Sequence, residues 1–98
     1  MAKKTNKTDQ SGVPGASVIA LNFIIFLAND QSRLERFCNL TGYTPDILRQ
    51  NLASPDFLAM ALDFALQDES LLLEYASHAA LAPQDVAAAR RQLPGYAE

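Results

Sequence analysis

The chain has 98 residues, 49% of them hydrophobic, which suits one domain with a modest core and leaves no room for two. A single cysteine, Cys38, rules out an intrachain disulfide and points to a reducing cytoplasm. The net charge is −3; setting aside Lys3, Lys4, Lys7 and Asp9 at the start leaves five basic against ten acidic residues, a body that on average repels a polyanion such as DNA.

Residues 1–14 have almost no apolar content and read as a disordered basic tail, with a single helical domain over 15–98. From there the apolar residues recur with helical period, and no stretch alternates like a strand. The fold class expected is all-α, a compact bundle of five to six short helices.

The first helix is expected over Ser17–Asn29 and is apolar nearly all round, as suits the centre of a bundle. Its valine and isoleucine content would also suit a strand. Basic residues followed by the apolar run Ala16–Ala28 resemble an export signal. Against that, a helix of this length spans about 20 Å, short of about 30 Å of hydrocarbon. Phe26 also stands where a cleavage after Ala28 would want a small residue. The reading is therefore a buried helix, with no membrane span. Asn22 is the one amide in this run; it either specifies register in a helix contact or lies at a wet edge.

A second helix is expected from a capping box at Ser32-Arg33-Leu34-Glu35, with Leu34, Phe37, Cys38 and Thr41 as its stripe and Gly42 as its stop. Thr44-Pro45 and Ser54-Pro55 each pair a cap with proline at the first helical position, opening the third and fourth helices. Ile47, Leu48 and Leu52 face inward from the third. Phe57, Leu58, Ala61, Leu62, Phe64 and Ala65 do so from the fourth. Asp68 caps the fifth helix, whose stripe is Leu72, Tyr75, Ala76 and Ala79, with Glu69 at the positive end of its dipole. Pro83 opens the sixth, which buries Val86, Ala89 and Leu93 and ends at Pro94-Gly95.

Residues 16–52 align with 54–90 without a gap at an offset of 38. Phe26 falls on Phe64, Asp30 on Asp68, Ser32 on Ser70, Leu34 on Leu72 and Pro45 on Pro83. The chain can thus be read as two related three-helix units, or as short helices that look alike because tight caps join them.

No catalytic, cofactor-binding or metal-ligating residue is assigned, and the chain is read as a non-enzyme. Cys38 and His78 are the sole residues of their types, too few for a zinc site. Cys38 lies on an apolar stripe, where thiols are structural, and His78 lies off the stripe of its helix, at the surface. Capping accounts for Asp68 and Glu69, and Glu74 sits on a polar face. The helix, glycine turn and short helix carrying Arg49, Gln50 and Asn51 resemble a nucleic-acid reader, but the acidic body disfavours it. The leading expectation is a protein-interaction or self-association module, whose partner is an unidentified protein or a second copy. It rests on the surplus apolar surface of the first and fourth helices.

Phe26-Leu27-Ala28-Asn29-Asp30 is followed by Phe37, Leu40-Thr41-Gly42, Pro45 and Leu48-Arg49. Further along come Pro55-Asp56-Phe57-Leu58, Leu62-Asp63-Phe64, Leu71-Leu72-Leu73 and Leu93-Pro94-Gly95. Together these resemble a family of small bacterial helical proteins known as a domain of unknown function, numbered 3572. The resemblance covers residues 17–95 and departs at Tyr43 and Thr44, where a Leu/Asp-like turn would be expected. It implies a small cytoplasmic bacterial protein and no activity, so no functional residue is carried over.

Overall fold

The computed structural model describes residues 14–95. The basic tail expected at the start lies outside the described residues, except for Pro14. Six helices follow in order: α1 (Ala16–Ala28), α2 (Gln31–Thr41), α3 (Pro45–Gln50), α4 (Pro55–Leu66), α5 (Glu69–Ala79) and α6 (Pro83–Arg91). Among the described residues there is no strand, so Val18 and the isoleucines of α1 are helical.

Side chains start most of these helices. The Thr44 hydroxyl accepts from the Ile47 N–H at 3.2 Å, and the Ser54 hydroxyl from that of Phe57 at 3.2 Å. The Asp68 carboxylate accepts from the Leu71 N–H at 3.2 Å. At α6, where alanine offers no acceptor, the Ala82 N–H donates to the Asp85 carboxylate at 2.9 Å. The second helix departs from expectation. Its cap is Asp30, whose carboxylate accepts from the Arg33 N–H at 3.1 Å, so Ser32 lies inside the first turn. Asp30 holds the extended backbone that a cap needs, and the Glu35 side chain instead accepts from the Gln31 amide.

The 38-residue offset recurs in the backbone. Asp30 and Asp68 cap α2 and α5, and the two helices end at Thr41 and Ala79. Both then turn through the left-handed region, at Gly42 (φ 83°) and at Ala80 (φ 58°). Glycine adopts this conformation freely, whereas alanine is strained there. The packing does not follow the same offset. Helix α1 packs against α2, α4 and α6, and α4 also packs against α5 and α6. Helix α6 thus sits at the centre, while its counterpart α3 contributes Leu48 from the edge.

The core lies where α1, α4 and α6 meet, around Ile19, Phe23, Leu27, Leu62 and Val86. Tyr75 ties α5 to it: the phenol donates to the Ile19 carbonyl at 2.7 Å, with the ring edge-on to Phe23 at 5.2 Å. Burial pushes this phenol from the ordinary 10.0 up to about 12. Phe37 packs edge-on to Phe64 at 4.7 Å, joining α2 to α4. Arg90 is a buried cation on α6. It donates to Asp63 at 2.7 Å and to the carbonyls of Leu93 and Pro94, anchoring the turn after the last helix.

Candidate functional site

Helix α1 has more apolar surface than its neighbours cover. It buries Ile19, Ala20, Phe23, Ile24, Phe26 and Leu27. Val18 and Ile25 stay about half exposed, at 47% and 48%, and Asn22 between them is also exposed. These three positions are four and three residues apart, so they form one ridge along the helix.

That ridge borders a trough. The Asn29-Asp30 turn folds α2 back beside α1, and α3, starting at Pro45, forms the third side of the space beside them. A cavity of about 150 Å³ opens between them, lined by Ile24, Ile25, Ala28, Leu34, Leu48 and Leu52, with Pro45 and Arg49 at its margin. Ala28, Leu34 and Pro45 also line an adjoining hollow that continues to Cys38, Asn39, Gln31 and Glu35. The trough is therefore apolar along its floor and polar along the α2 rim. Arg49 is ion-paired with Asp46 on its own helix, so that margin is neutral as a pair.

The residues that suggested nucleic-acid reading are held locally. Arg49 pairs with Asp46, and the Asn51 amide donates to the Ile47 carbonyl at 2.8 Å, closing the end of a helix of only six residues. Gln50, the third, is exposed at the end of that helix.

A second hollow lies between α1, α2 and α5, lined by Phe26, Arg33, Leu73, Glu74, Ser77 and His78. Its polar groups hold one another. The Arg33 guanidinium sits 4.0 Å from the Phe26 ring centre, donates to the Phe26 carbonyl at 3.2 Å and approaches Glu74 at 3.8 Å. His78 is exposed, as expected, with its ring 5.1 Å from that of Phe26.

Cys38 and His78 line separate hollows. Cys38 is half-buried on the inner edge of α2. Asp68 caps α5 and also pairs with Arg36 at 3.2 Å. Among the described residues no three His, Cys, Asp or Glu side chains are grouped to hold a metal ion. Nor is any described helix long and apolar enough to cross a membrane.

What these features define is a small protein of six helices among the described residues, with an apolar-lined concavity beside an uncharged helix. The match over residues 14–96 then places the chain: it belongs to the family described as "Protein of unknown function (DUF3572)", in line with the resemblance read from its motifs. No curated protein and no solved structure matches the chain.

Proposed function

We propose that this protein is a non-enzymatic interaction module that binds protein through the α1 ridge and the trough between α1, α2 and α3. The observation that carries the reading is the trough itself, an apolar-lined hollow beside a half-exposed Val18 and Ile25. Apolar grooves of this kind accept the apolar face of a helix, whose side chains enter at helical spacing while polar groups meet the rim. Here the rim residues Gln31, Glu35 and Asn39 supply the polar side.

The test is light scattering combined with affinity capture on the full chain, alongside Ile25→Asp. Ile25 is exposed, so its replacement leaves the core alone. The reading predicts self-association or a retained partner for the natural chain and loss of both in the variant, at unchanged helical content. A strict monomer that retains no partner refutes it.

A further inference from the structure

We infer that the occupant of the α1 ridge is the same ridge of a second copy, in an antiparallel twofold pair centred on Asn22. This inference rests on the interaction reading above and names the partner for it.

Charge is the first argument. The chain is net negative, and two copies repel wherever their acidic surfaces meet. Among the described helices, α2 to α6 each carry charged residues, and α1 carries none over its thirteen. Its exposed side is thus a helical face on which two copies can approach without like charges opposing. At the nearby α3 margin, Arg49 is neutralised by Asp46.

Self-complementarity is the second. A twofold contact sets each residue against its symmetry mate or against one equally far from the axis. Asn22 is exposed at the middle of the ridge. Its side-chain amide has both donors and an acceptor, so two copies across an axis can exchange reciprocal hydrogen bonds. Ile25 lies about 4.5 Å along the helix from Asn22, and Val18 about 6 Å in the other direction. In an antiparallel pair Ile25 of one copy therefore meets Val18 of the other. The two half-exposed apolar side chains of α1 cover each other on both sides of the amide pair. A polar pair inside an apolar seam fixes register, because any slip leaves an amide facing aliphatic side chains.

The experiment is sedimentation velocity on the full chain, from micromolar to near-millimolar, for the natural protein, Asn22→Asp, Asn22→Lys and an equimolar mixture of the two variants. The inference predicts a concentration-dependent dimer for the natural chain. Each single variant sets like charges across the axis and weakens that dimer at least about tenfold. The mixture sets opposite charges there and restores it. Variants that dimerise as well as the natural chain, or a mixture that stays monomeric, overturn the Asn22-centred pair. A monomeric natural chain overturns the dimer, and a titration with an amphipathic leucine-alanine helical peptide then separates the two readings. Uptake abolished by Ile25→Asp leaves the interaction module standing with another partner, and no uptake removes both.

Discussion

The phenol of Tyr75 gives a prediction whose sign depends on pH. Tyr75 is buried, and its hydroxyl donates to the Ile19 carbonyl at 2.7 Å. Tyr75→Phe removes that bond and little else, because the carbonyl retains its helical partner four residues on. The expected loss at neutral pH is about 1 kcal/mol, the net worth of one buried hydrogen bond. Burial raises the phenol from 10.0 to about 12 in the folded chain. A group raised in this way stabilises fully below the unfolded value, and that contribution is lost as pH climbs from 10 through 12. Two units correspond to about 2.7 kcal/mol. The phenylalanine variant has no such term. It is therefore less stable than the natural chain by about 1 kcal/mol at pH 7 and more stable by about 1–2 kcal/mol above pH 12. Urea unfolding followed by circular dichroism at a series of pH values measures this. The difference between the two proteins isolates Tyr75 from the other alkaline titrations they share. A stability difference that stays constant from pH 7 to the alkaline limit refutes the buried, bonded phenol.

Ala80→Gly relieves the left-handed alanine after α5 and raises stability by about 0.5–1 kcal/mol, whereas Gly42→Ala at the matching turn lowers it by about 1 kcal/mol; thermal unfolding of both reads the opposite signs. Arg90→Ala strands the carbonyls of Leu93 and Pro94 and takes the partner from Asp63, at a cost of about 2–3 kcal/mol in chemical denaturation. Asp68→Ala removes a cap and the Arg36 pair together, while Ser32→Ala removes neither. The first therefore costs about 1 kcal/mol and the second only a few tenths, measured by urea unfolding.

Most of the fold follows from local chemistry, which is why the helix starts at Pro45, Pro55 and Pro83 and the cap at Asp68 can be read directly. The start of α2 could not be settled the same way. Asp30 and Ser32 are both competent caps two residues apart, and the turn out of α1 selects Asp30. The alignment of Asp30 with Asp68 was the signal that favoured it. Ala80 carries no composition cue for a left-handed residue, although its offset from Gly42 points to one. Arg90 is a charge in an otherwise apolar helix face, and only its placement against Asp63, far back in the chain, makes burial tolerable.

The trough was the least legible feature, for a physical reason. Val18 and Ile25 do not differ in kind from Ile19 and Ile24; what separates them is that α4 and α6, from later in the chain, cover one side of α1. Asn22, the one amide in that run, lies on the uncovered side; its exposure in the single chain fits both readings of it, and the charge-reversal pair at position 22 separates them. What the sequence could not supply is the shape of the hollow where Leu34, Pro45 and Leu48 face Ile25.

The central claim is that this exposed apolar face is where the protein makes contact. A concentration series of methyl and side-chain amide chemical shifts on the full chain tests it residue by residue. The account predicts saturable shifts at the methyls of Val18, Ile25, Leu34 and Leu52 and at the Asn22 amide. Leu73 and Leu40, exposed on other faces, should remain still. Shifts centred on Leu73 or Leu40, or spectra unchanged up to millimolar protein, would contradict it.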